Sequence, residues 1–85
     1  NRSYLTYNGL GNFYLKTNQF EKAEGYYTKA IEINPKGSAK IYKNRAYLRE
    51  KQNKNSEAKE DLKTYLKLYP RAPDRGVIEQ AIREL

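Results

Sequence analysis

The chain contains no cysteine, histidine, methionine or tryptophan. Without thiolates or imidazoles it lacks the ligands that dominate zinc sites and the commonest general base, and it cannot form a disulfide. Apolar residues are only 38% of the 85, and no apolar run exceeds two or three residues. Roughly 20 would be needed to cross a bilayer as a helix, so no membrane span is expected. No basic-then-apolar leader opens the sequence, and the absence of methionine even at residue 1 points to a segment of a longer polypeptide. The length sets one domain as the ceiling.

What is present is aromatic and basic. Nine Tyr and two Phe supply large amphipathic rings for a core that is wet at its edges. Seventeen Lys and Arg against ten Asp and Glu give a net charge of +7, which favours acidic partners without naming one.

The sequence repeats itself at a spacing of 35: Tyr7 returns as Tyr42, Gly11 as Ala46, Ala23 as Ala58, Ile31 as Leu66, Ile33 as Leu68 and Pro35 as Pro70. Within the first unit Tyr7, Leu10 and Tyr14, then Phe20, Ala23, Tyr27 and Ala30, recur at three- and four-residue intervals and predict two amphipathic helices. Lys16-Thr17-Asn18-Gln19, and Lys51-Gln52-Asn53-Lys54 in the second unit, predict short helix stops, because Asn tolerates the left-handed conformation best among non-glycine residues. Connections this short make the helices antiparallel neighbours, and Pro35 ends the first hairpin. The fold class is all-α, with units at 4–37 and 39–72 and a closing helix over 73–85. Pro73 is placed at that helix's first position and Asp74 at the positive end of its dipole. Its apolar stripe is Val77, Ile78, Ala81, Ile82 and Leu85.

The first unit reads Tyr7-x2-Leu10-Gly11-x2-Tyr14, then Phe20-x2-Ala23-x3-Tyr27-x2-Ala30 and Pro35, which resembles the tetratricopeptide repeat with Tyr in the usual Trp slot. Gly11 and Ala23 are small where helices cross closely, and Tyr14, Phe20 and Tyr27 fill the facing hollows. The second unit keeps Tyr42, Ala46, Ala58, Leu62 and Pro70, but has Arg49, Asn55 and Tyr65 where Tyr, an aromatic and Ala are usual. The resemblance implies a protein-binding module whose concave groove is lined by the first helix of each hairpin. The corresponding positions are Leu5, Asn8, Asn12, Leu15 and Lys16 in the first unit, and Lys40, Lys43, Asn44, Tyr47, Glu50 and Lys51 in the second. Asn8, Asn12 and Lys16, like Lys43, Tyr47 and Lys51, step by four along one helical face.

Some relatives clamp a peptide's terminal carboxylate with two Asn and several basic residues. Asn12 and Asn44 occupy the Asn slots, but Asn8 stands for a Lys, and Asp74 and Ile78 replace the last two basic residues. A looser mode is therefore expected, in which the amides bond a peptide backbone while Lys43 and Lys51 attract acidic side chains. An alternative uses Lys40, Lys43, Arg45, Arg49, Lys51 and Lys54 on nucleic-acid phosphates with Tyr47 stacking on a base, although no nucleic-acid motif accompanies them. A third reading is structural, with the Arg2 to Tyr14 helix stacking on another repeat or another copy.

Catalysis is not expected: Ser3, Ser38 and Ser56 have no histidine base, and Glu57, Glu60 and Asp61 read as a solvent-facing turn with Ser56 as a helix cap. No cofactor is called for. Base rate places such a domain in the cytoplasm.

Overall fold

A computed structural model describes residues 2–85. Its regular elements are helices: α1 (Ser3–Lys16), α2 (Phe20–Ile33), α3 (Ala39–Lys51), α4 (Asn55–Leu68) and α5 (Arg75–Glu84). Among the described residues no helix is long and apolar enough to cross a membrane.

The two hairpin turns are built alike. Asn18 and Asn53 have φ of 60° and 61°. In each, the next residue's amide reaches back five positions, Gln19 to the Tyr14 carbonyl and Lys54 to the Arg49 carbonyl, both at 2.8 Å. The asparagine amides close on Leu15 and Glu50. This paired closure satisfies carbonyls that a helix end would otherwise leave open. At the other ends, α2 and α4 stop before Pro35 and Pro70, since the residue preceding proline is pushed out of the helical region.

Each helix buries one stripe. Ala23, Tyr27, Ala30 and Ile31 of α2 join Ile41 and Leu48 of α3 in one cluster, with Tyr7, Tyr14 and Tyr42 packed half-buried against it. A second cluster unites Ala46, Ala58, Leu62, Tyr65, Ala72 and Ile78, tying α3 and α4 to α5. Tyr27 is fully buried, its hydroxyl donates to Asn12 Oδ1 at 2.5 Å, and burial pushes its phenol up to about 12.

Four expectations need correction. The last helix begins at Arg75, not Pro73; Asp74 is its N-terminal flanking residue, and its carboxylate bonds side chains of other elements rather than the helix start. Val77 lies off the buried stripe and is 71% exposed, whereas Ile78 is buried. Ser56 does not cap α4, because the helix starts one residue earlier, at Asn55, with Lys54 flanking it. Asp61 is not on a solvent-facing turn: it is 3% exposed, and both Arg45 and Arg49 bond it.

Candidate functional site

Two surface depressions are lined by side chains of α1, α3, α4 and α5. Three asparagines join α1 to α3: Asn44 Nδ2 donates to Asn8 Oδ1 at 3.2 Å and to Asn12 Oδ1 at 3.5 Å. Asn44 thus sits between residues one helical turn apart on the neighbouring helix, and its carbonyl oxygen bonds nothing among the described residues.

On one side of this ladder a cleft of about 300 Å³ is lined by Leu15, Lys43, Asn44, Tyr47, Glu50, Leu62, Ile78 and Ala81. On the other, a depression of about 420 Å³ includes Tyr4, Leu5, Asn8, Lys40, Leu68 and Tyr69. The structure therefore brings Leu15, Lys43, Asn44, Tyr47 and Glu50 to one cleft and Leu5, Asn8 and Lys40 to the other, with Asn12 on the bridge. Lys16 and Lys51 line neither. Lys51 instead lies 4.9 Å from the ring centre of Tyr47, which is itself 53% exposed.

Lys43 is not a free cation. Its ammonium bonds Asp74 Oδ2 at 2.8 Å and stands 5.2 Å from the Tyr65 ring centre. Tyr65 donates its hydroxyl to the other Asp74 oxygen at 2.6 Å. The hydrogen bond from Lys43, and then that from Tyr65, hold the Asp74 carboxyl below its ordinary value, and burial followed by the Asp74 bond pushes the Tyr65 phenol up to about 12. This three-residue latch fixes the start of α5 against α3 and α4, so that Ile78 and Ala81 form the cleft's far wall. Tyr65 takes the position of Ala30, and the ring that seemed out of place there is the one that reaches Asp74.

The outer cations are also committed. Arg45 makes a bidentate bond to Asp61, Nε to Oδ2 and Nη2 to Oδ1, both at 2.9 Å, and its Nη1 bonds Thr28 at 3.1 Å. Arg49 bonds Asp61 Oδ2 and Glu24 Oε2 at 3.0 Å, and Lys54 bonds Glu24 Oε1 at 3.1 Å. Burial pushes the Glu24 carboxyl up, but the bonds from Lys54 and Arg49 outweigh it and hold the group below its ordinary value. Of the six cations in the phosphate-binding alternative, Lys43, Arg45, Arg49 and Lys54 are ion-paired within the protein. Lys40 and Lys51 stand outside these ion pairs, at opposite ends of α3.

The sequence carried a signal for this network. Arg49 and Asp61 stand 35 residues after Tyr14 and Tyr26, whose rings stack at 5.5 Å with planes 6° apart. An aromatic pair in the first hairpin is replaced by an ion pair in the second, a compensated change visible once the units are aligned.

A family model for the tetratricopeptide repeat matches residues 4–36, and a second model for the same repeat matches residues 39–71. No match was found among curated proteins or solved structures. Both hairpins are thus matched, and Gly11, Ala23 and Tyr27 sit buried at the helix crossings where the repeat signature requires small and large residues to meet. The chain belongs to the tetratricopeptide repeat family, whose repeats are non-enzymatic modules for protein–protein interaction.

Proposed function

We propose that the chain binds a peptide or partner-protein segment in the concave groove formed by α1 and α3 and walled by α5. Residues 4–37 and 39–72 are the two binding units and 73–85 the wall, together one domain. The observation that carries this reading is the cleft beside Asn44. Leu15, Leu62, Ile78 and Ala81 give it an apolar lining, while Asn44, Lys43 and Glu50 stand at its polar edge with Tyr47 open to a ligand. Such a site suits an extended or helical segment that inserts an apolar side chain and bonds its backbone to the amides.

The charge preference follows from which cations are unpaired. Lys43 is neutralised by Asp74, so attraction for acidic side chains falls to Lys40 and Lys51 at the groove's ends. The test is fluorescence anisotropy of an acidic and polar peptide library against the 85-residue chain and an Asn44→Ala/Tyr47→Ala variant. Selective binding that weakens at least tenfold in the variant supports the groove; equal binding by both proteins, or none by either, refutes it.

A further inference from the structure

Internal symmetry exposes a surface that the concave groove does not use. A step of 35 residues maps α1 onto α3 and α2 onto α4. Leu48 of α3 is fully buried in the cluster it shares with α2. Its counterpart in α1, Phe13, is 55% exposed. Ile41 is buried, and its counterpart Thr6 is exposed. The face that in the second hairpin receives a neighbouring helix is therefore bare in the first.

That face has a definite chemistry. Tyr26 stacks between Tyr7 and Tyr14 at 6.0 and 5.5 Å, and Phe13 meets Tyr14 edge-on at 5.1 Å. Lys29 and Lys22 stand 5.7 and 5.4 Å from the ring centres of Tyr7 and Tyr14. Neither lysine takes part in an ion pair among the described residues. Both border a shallow depression of about 310 Å³, with Gly25 between them leaving open space where a side chain would stand.

The covered face shows what fits such a surface. Besides α4, α2 packs on α3: its Tyr27 and Ile31 share a core cluster with Leu48 and Ile41, and its Glu24 pairs with Arg49 and Lys54. An apolar stripe edged by a carboxylate is thus what this chain already packs on the equivalent side of its second hairpin. On the first hairpin the positions of Arg49 and Lys54 hold Tyr14 and Gln19, and the cations beside the tyrosine row are instead Lys22 and Lys29 of α2. A second copy using the same face would bring its own Lys22 and Lys29 against them, which is electrostatically unfavourable. The geometry points to the α1–α2 outer face as a docking site for an amphipathic acidic helix of a partner protein, its apolar stripe on Phe13 and the tyrosine row and its carboxylates on Lys22 and Lys29. This site is separate from the groove.

Two synthetic helical peptides test it, each of about 20 residues because shorter helices are marginal in water. Both carry a leucine stripe, flanked in one by glutamate and in the other by lysine, and each is titrated calorimetrically into the 85-residue chain at two salt concentrations. The glutamate peptide binds, more weakly at higher salt, and the lysine peptide does not. Phe13→Asp and the Lys22→Glu/Lys29→Glu pair each weaken binding at least tenfold, whereas Asn44→Ala/Tyr47→Ala leaves it unchanged. Circular dichroism checks folding; if Phe13→Asp does not fold, the lysine pair decides. The proposal is overturned if the glutamate peptide fails to bind, binds no better than the lysine peptide, or is released by the groove variant. It is equally overturned if Phe13→Asp abolishes a concentration-dependent dimer, or if an oligonucleotide binds Lys22 and Lys29 more tightly than the peptide.

Discussion

Placing a methyl group at Gly11 should destabilise the protein, although alanine is the better helix former. A Cβ built at Gly11 would lie 2.5 and 2.6 Å from Cε1 and Cδ1 of Tyr27 and 3.1 Å from Cγ. Carbon atoms in contact prefer about 3.5–4.0 Å, so the ring must retreat by about 1 Å. It has little freedom to do so, being fully buried and bonded through its hydroxyl to Asn12. Overpacking of a closed core costs about 1–3 kcal/mol, and the rigid partner puts this site in the upper half of that range. The helix-propensity gain of alanine over glycine offsets about 1 kcal/mol. The net loss for Gly11→Ala is therefore about 1–2 kcal/mol, or about 4–16 °C in Tm for a domain of this size.

Gly9 supplies the control within the same helix. Nothing lies within 4 Å of its hypothetical Cβ. Gly9→Ala should therefore stabilise by about 0.5–1 kcal/mol. Urea denaturation followed by circular dichroism reads both variants, with an unchanged slope confirming that stability alone has moved. The second hairpin solves the same crossing with Ala46 and Leu62, which share one buried cluster, so Tyr27→Leu should relieve part of the Gly11→Ala loss in a double-mutant cycle. Two stabilising alanines, or a Gly11→Ala loss that Tyr27→Leu leaves untouched, would refute the steric argument.

Asp61→Ala leaves Arg45 and Arg49 without their shared carboxylate in a largely buried setting and should cost about 3–5 kcal/mol by urea denaturation. A loss under about 1 kcal/mol would show that the network is solvated, as surface ion pairs are. Tyr27 and Tyr65 have phenols raised from 10.0 to about 12, so folding favours their neutral forms. Their contribution is complete below pH about 10 and disappears as pH rises to about 12. Ultraviolet absorbance should show the Tyr27 and Tyr65 phenols ionising as stability falls across that window, whereas ionisation of both near pH 10 would contradict it. Asn18→Ala and Asn53→Ala force alanine into positive φ and should each cost about 1 kcal/mol, while glycine at either position should be neutral or stabilising.

Local periodicity and shape made most of the fold legible. The three- and four-residue spacings marked the two helices of the first unit and the 35-residue repeat carried them onto the second, the two asparagine stops appeared with the same closure, and the small residues Gly11 and Ala23 became buried crossing points. What the sequence hid were interactions between residues far apart in the chain. Arg49 meets Glu24 across 25 positions and Lys43 meets Asp74 across 31, so reading either helix alone leaves both cations looking free. Asp61 looked exposed because its neighbours Glu57 and Glu60 are. Of the candidate groove residues, Leu15, Lys43, Asn44, Tyr47 and Glu50 line one cleft, while Lys16 and Lys51 lie outside it. Its far wall of Ile78 and Ala81 depends on where α5 begins, which Pro73 suggested two residues too early.

The Glu24 seam between the hairpins also bears on how this protein could lengthen in evolution. Glu24 and Thr28 receive Arg49, Lys54 and Arg45 from the second hairpin. Thirty-five residues later the same positions hold Lys59 and Lys63. Were the second hairpin duplicated in tandem, the new copy's guanidinium groups would face ammonium groups where they now find a carboxylate and a hydroxyl. The two hairpins are thus ordered parts rather than interchangeable units, and growth by simple copying of the second would require a charge reversal on α4 first.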